Sequence, residues 1–222
     1  PIDIVETLAE DNDWEFDRVG EDQIAMAVEG QWRTYSITLA WSARDETLRM
    51  IASFELDPPA DRTPELYEMV NLANDGCWTG AFSFWAEQKL MVYRYGLLLT
   101  GGQSASADQI DMLIATAVAA AERYYPAFQL VCWGDTKPEV AAKVAMAAWA
   151  LRERVHFIAV GEAGGKRHAG RVEIADIAEV THDPLIAQLR YRLRRHHGAA
   201  TSGKRIGVAA VFSRENVVLP EV

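Results

Sequence analysis

The sequence predicts an α+β fold, and three observations carry that prediction. Apolar residues alternate through Trp14–Leu56 and again near Phe82–Thr100, helical stripes separate these stretches, and composition changes near residue 140. Residues 1–140 hold 9 Lys/Arg against 24 Asp/Glu, a balance of −15, whereas residues 141–222 hold 13 against 8, a balance of +5. Six of the seven tryptophans lie before this boundary and all five histidines after it. The expected organisation is a two-layer antiparallel sheet with helices over residues 1–143, followed by a partial α/β segment over 144–222.

Each element has its own signal. Ile4, Val5 and Leu8 share one face of a short first helix. Tyr35, Ile37, Leu39 and Trp41 alternate with Ser36, Thr38 and Ala40, and Leu48, Met50, Ala52, Phe54 and Leu56 repeat the period of two. Breaks at Val19–Asp22, Glu29–Gln31 and Ala43–Glu46 suit hairpins, so a meander of three strands is expected. Thr63-Pro64 predicts a capped helix whose stripe is Leu66, Met69, Val70, Ala73 and Cys77. Strands are expected at Phe82–Ala86 and Leu90–Thr100. Ser106 and Gln109 form a capping box for a helix bearing Ile110, Leu113, Ile114, Ala117 and Ala121, which should stop before Pro126. A second capping box, Thr136 to Glu139, predicts a helix with Val140, Val144, Ala147 and Leu151 on one face. Val155–Val160 reads as a buried strand, Arg171–Ala178 and Arg205–Phe212 as further strands, and Asp183-Pro184 as the start of a helix ended by Gly198.

Composition excludes some functions. No run of 18 uncharged apolar residues exists and the first residues lack a signal-peptide pattern, so a cytoplasmic protein without membrane contact is expected. Cys77 and Cys132 belong to no CxxC motif and sit among apolar residues, which predicts reduced thiols in place of a disulfide or metal site. Adjacent His196 and His197 point apart on a helix and are poorly placed to chelate one metal.

The glycine-rich stretch from Val160 to Gly170 invites a phosphate-loop reading. That motif needs glycine five residues before Gly165 and a hydroxyl after Lys166, but Val160 and Arg167 stand there. A strand-exit loop is expected. The run containing Arg190, Arg192, Arg194 and Arg195 reads first as the solvated face of an amphipathic helix or an interface with the acidic first part, and second as a phosphate-contacting surface for nucleic acid. The aromatics Trp32, Tyr35, Trp41, Trp85, Tyr93 and Tyr95 are either sheet core or a ligand platform. If a protein partner binds, Trp32, Tyr35, Trp85 and Tyr93 are the candidate contacts. No catalytic, cofactor-binding or metal-binding residue is assigned.

Two resemblances accompany this reading. Trp14-Glu15-Phe16, Gly30 to Tyr35, Asn71 to Asn74, Gly80, Val92 to Tyr95, and Glu122 to Gln129 running into Trp133-Gly134 resemble the YbjN-type sensory transduction regulators over residues 1 to about 145. That resemblance implies a fold like type III secretion chaperones and a non-enzymatic regulator or chaperone-like binder with a protein partner, including a homodimer. Ala145 to Arg152, Phe157 to Gly161, Gly164 to Lys166, Ala175 to Ala178, Asp183 to Leu185, Leu189 to Arg194 and Val211 to Ser213 are similar to the ThiF-like tRNA threonylcarbamoyladenosine dehydratases. This second resemblance implies an ATP-dependent enzyme. Yet no GxGxxG follows a first parallel strand, Trp133 to Pro138 stands where an acidic metal-binding segment would lie, and the region expected to hold the reactive cysteine is not in the sequence. The leading expectation is therefore a non-catalytic chain without cofactor, joined near residues 138–148 from two families; the alternative is a fragment of the dehydratase whose basic helix contacts tRNA.

Overall fold

The computed structural model describes residues 1–201 and 203–216, and the chain divides into two compact units, Pro1–Asp135 and Thr136–Val222. In the first unit the order is α1 (Ile2–Asp11), β1 (Glu15–Gly20), β2 (Gln23–Glu29), β3 (Thr34–Ser42), β4 (Thr47–Glu55), α2 (Thr63–Asp75), β5 (Ala81–Trp85), β6 (Leu90–Leu98) and α3 (Ala107–Trp133). The six strands form one antiparallel sheet in the order β1-β2-β3-β4-β6-β5. The expected hairpin breaks are all present, but they divide four strands where the pattern predicts three. β1 escapes notice because nearly all its side chains are exposed, so no alternation marks it.

Register explains the core. Phe16, Met26, Ile37, Ala52, Tyr93 and Phe82 stand in one row across all six strands, on the face where side chains are buried. The helices cover that face: α1 packs on β1 to β3, α2 on β5 and α3 on β6, with α3 touching both other helices. Edge-to-face ring contacts join the layers, Phe54 with Tyr125 at 5.4 Å and Phe82 with Phe128 at 5.3 Å. The predicted α+β class and two-layer antiparallel arrangement are present.

Several helix ends differ from their predicted places. The Ser106–Gln109 capping box forms with both reciprocal bonds, at 3.1 and 2.9 Å. Thr63 is the first residue of α2, with Arg62 at the N-cap, so its hydroxyl makes no cap bond; Cys77 lies past the end of the helix. The helix predicted to stop before Pro126 runs on to Trp133. A proline inside a helix costs about 3 kcal/mol. Beyond it, Phe128, Leu130 and Val131 become buried, each worth roughly 1.5–3 kcal/mol, so packing outweighs the local penalty.

The second unit contains α4 (Pro138–Glu153), β7 (Ile158–Val160), β8 (Val172–Asp176), α5 (Pro184–His196) and β9 (Ala209–Ser213). Residues 138–148 all lie within α4. Pro138 takes the first helical position with Lys137 at the N-cap, which leaves Thr136 one place too early to act as the predicted cap. The strands form a sheet in the order β7-β9-β8, with β7 parallel and β8 antiparallel to β9. The strand predicted over Val155–Val160 shrinks to three residues, and of these only Ala159 is buried. Asp183 caps α5 as predicted, and Gly198 follows it with φ +62°, a backbone that favours glycine. Among the described residues no helix is long and apolar enough to cross a membrane.

Candidate functional site

The four aromatic candidates do not form one surface. Tyr35 and Tyr93 are fully buried beneath the helices, so they belong to the core and cannot meet a partner there. Trp85 ends β5 on the opposite, helix-free face and is half-buried. Trp32 lies in the β2–β3 turn and is 39% exposed.

Trp32 and Tyr35 meet at Glu122 on α3. Pro126 has no N–H to offer the Glu122 carbonyl one turn earlier, and the Trp32 indole N–H donates to that carbonyl at 3.2 Å. The Glu122 carboxylate accepts from the Tyr35 hydroxyl at 2.7 Å and from the Trp32 backbone N–H at 3.3 Å. Burial, and then the bond to Glu122, push the Tyr35 pKa upward. Gly30 is required by proximity, because a Cβ there would lie 2.3 Å from Glu122 Oε1 and 2.4 Å from the Tyr35 ring. A second clamp sits at the sheet edge. The Asn74 side chain accepts from Phe82 N–H at 2.7 Å and donates to Phe82 C=O at 3.2 Å, tying the end of α2 to β5. These residues frame the fold.

An apolar groove missed in the sequence lies between β6 and the start of α3. Tyr95, Leu97, Met112, Leu113 and Thr116 line a cavity of about 410 Å³, with Met112 largely exposed at its rim. The signal was present: Met112 falls off the buried stripe of α3, and Leu97 lies where β6 has run past its β5 partner.

In the second unit the glycine-rich loop is held by charge. Lys166 Nζ donates to the carbonyls of His182 at 2.9 Å, Ser213 at 3.1 Å and Glu215. A lysine spent on three carbonyls is a staple for loops, which agrees with the failed phosphate motif. Buried Asp183 accepts Ile186 N–H at 2.9 Å with one oxygen and Glu162 N–H at 2.9 Å with the other, so one carboxylate both caps α5 and anchors the loop. Asp176 accepts three backbone N–H groups, those of Ala178, Ile206 and Gly207, at 2.9, 3.0 and 2.7 Å. Burial alone would raise its pKa, but these donors hold it below the ordinary carboxylate value.

The four candidate arginines of α5 separate. Arg190 turns inward, donating to Ile177 and Val180 carbonyls at 2.8 Å each, and Arg194 donates to Ala200 C=O at 2.9 Å. Arg195 and Arg192 lie against the exposed Tyr191 ring, 5.8 and 5.9 Å from its centroid. Ala187, Arg190, Tyr191, Arg194 and Arg195 border an open groove of about 410 Å³ with no acidic side chain in its lining. Both cysteines are free; burial pushes the Cys132 thiol up to about 12 and raises that of Cys77. Among the described residues no group of three or more His, Cys, Asp or Glu is arranged to hold a metal ion.

These features define the first unit as a two-layer α+β domain, a six-stranded antiparallel sheet with helices on one face and hydrogen-bonded clamps between them. The chain belongs to the YbjN family, whose sequence model, described as "Putative bacterial sensory transduction regulator", matches residues 1–130. The crystal structure of E. coli YbjN has a TM-score of 0.40 and 12% identity, covering 54% of this chain and 84% of that one. The later residues are homologous to different proteins. The tRNA threonylcarbamoyladenosine dehydratase of Escherichia coli K12 is 34% identical over 88 residues, 39% of this chain and 33% of the relative. That of Haemophilus influenzae is 30% identical over 89 residues, 40% of this chain and 34% of the relative. The E. coli enzyme solved in complex with ATP has a TM-score of 0.33 at 33% identity, covering 38% of this chain and 33% of that chain. The chain thus spans about a third of the length of the curated relatives it matches.

Proposed function

We propose that this chain is a non-enzymatic regulatory or chaperone-like protein, whose YbjN domain binds apolar segments of a protein partner. The observation that carries this reading is the groove between β6 and α3, an apolar trough with Met112 at its rim, because methionine adapts to varied side chains. The family description supports a regulatory role. The test is suppression of aggregation of a chemically unfolded model protein by the purified chain. Met112→Glu should abolish suppression without lowering the melting temperature. An unaltered effect in that variant would remove the groove from the function.

A second reading rests on a separate observation, the acid-free groove beside Arg190, Arg194 and Arg195 in a segment 34% identical to a tRNA-modifying enzyme. Under it the second unit is a dehydratase-derived segment that contacts tRNA phosphates. Such binding would weaken steeply with salt. Arg195→Glu should reduce the affinity and the salt slope together, and tRNA binding absent at low salt would end this reading.

A further inference from the structure

Strand β6 outruns one of its neighbours. β4 pairs with it along its whole length, from Glu55↔Leu90 to Thr47↔Leu98, but β5 stops at Ala81, opposite Arg94. Tyr95–Leu98 is therefore held on one side and open on the other. Leu99 N–H donates to Glu46 C=O and Leu56 N–H to Lys89 C=O, both at 2.8 Å, so the odd-numbered residues of β6 turn their backbone groups towards β4. Gly96 and Leu98 turn theirs into the open lane. Tyr95 and Leu97 point to the helix side, where they line the groove with Met112 of α3.

Elsewhere this sheet protects its edges. β1 carries Glu15, Asp17 and Arg18 with a register shift between Asp17 and Gly20, and the Asn74 side chain occupies the outward N–H and C=O of Phe82 on β5. Tyr95-Gly96-Leu97-Leu98 has no charge, no proline and an unbroken register with β4. Leu98 is 66% exposed there, and Trp78, which precedes Thr79 of the groove lining, is 97% exposed.

We infer that the segment bound under the partner-binding reading of the groove, on which this inference rests, is an extended strand of another protein that adds to β6 in line with β5. Running antiparallel to β6, it exchanges N–H and C=O bonds with Gly96 and Leu98, and its residue opposite Leu97 drops its side chain into the groove. A second side chain, two positions along, enters beside Tyr95. Asp108 is the one charged residue in the groove lining, and residues 1–140 hold 9 Lys/Arg against 24 Asp/Glu, so the segment alternates apolar residues and is flanked by Lys or Arg.

Fluorescence anisotropy of the full chain with a labelled synthetic peptide, alternating threonine and valine with a lysine at each end, tests this. A dissociation constant on the order of tens of micromolar is expected. N-methylation of the threonines, whose N–H groups face β6 when the valines enter the groove, should weaken binding at least ~10-fold, whereas N-methylation of the valines should change it less than ~2-fold. Leu98→Pro removes an outward N–H and spares the ladder to β4, so it should weaken binding at least ~3-fold. Met112→Glu, at an exposed position, should weaken it as well. No binding up to about 1 mM peptide would overturn the inference. So would full affinity in both variants, since the strand must then add elsewhere. If Met112→Glu abolishes binding but the two methylated peptides bind equally, the groove holds its partner without strand pairing: the inference falls and the reading of the groove stands.

Discussion

Trp32 donates the hydrogen bond that Pro126 cannot, and a double-mutant cycle isolates that relation. In Trp32→Phe the Glu122 carbonyl loses its 3.2 Å donor while most of the ring packing is kept. A stranded buried acceptor costs about 1–3 kcal/mol. Because Trp32 is 39% exposed, water recovers part of that, and the low end, about 1 kcal/mol, is expected. Pro126→Ala restores an N–H one turn after Glu122, so the helix itself can satisfy the carbonyl. In that background Trp32→Phe should cost roughly half as much, a coupling of about 0.5 kcal/mol or more for two changes on shared atoms. Urea unfolding of the full chain, followed by far-UV circular dichroism, measures all four corners. Equal costs of Trp32→Phe in both backgrounds would show that the indole N–H is not standing in for the proline.

Further predictions concern single sites. Gly30→Ala sets a methyl 2.3 Å from Glu122 Oε1 and should destabilise the first unit by at least ~2 kcal/mol in the same urea assay. Asp176 has a lowered folded pKa, so its contribution is present above the ordinary carboxylate value and fades as pH falls through the folded one. Asp176→Asn should accordingly lose stability near neutrality and show a shallower acid limb, read as the urea midpoint against pH between about 5 and about 2. Cys132, with its thiol pushed up to about 12, should resist a disulfide reagent at pH ~8 in the native state and react fully in denaturant. Cys77, only half-buried, should react at an intermediate rate.

Much of the fold is legible in local pattern because local pattern and packing agree there. Alternation in β2 to β4 and stripes on α2 and α5 map onto buried faces almost residue for residue. The failures fall where distant contacts decide. Pro126 ends a helix by every local rule, and only the burial of Phe128, Leu130 and Val131 reverses that outcome. β1 has no burial period to detect, and β7 loses half of its predicted length because β9 pairs with only three of its residues. At the candidate sites the residue types were visible but their partners were not. Nothing local tells that Tyr35 points at a glutamate 87 positions away, or that Arg190 turns back to two carbonyls of its own unit.

Among the residues that carry the two family resemblances, the polar ones with visible partners act largely as clamps. Gly30, Trp32, Tyr35, Glu122 and Pro126 form a single hydrogen-bonded junction, and Asn74 fastens the edge strand. In the second unit Gly161, Lys166, Asp176, Asp183 and Arg190 each close a loop onto a strand or helix. A carboxylate holding three backbone N–H groups, or a lysine holding three carbonyls, has few lone pairs or protons left for a substrate. Identity at such positions preserves a scaffold, and it transfers no chemistry with it. The surfaces free to act are those the clamps leave bare: the Met112 groove and the outer side of α5. What these surfaces hold is what the two binding assays above measure.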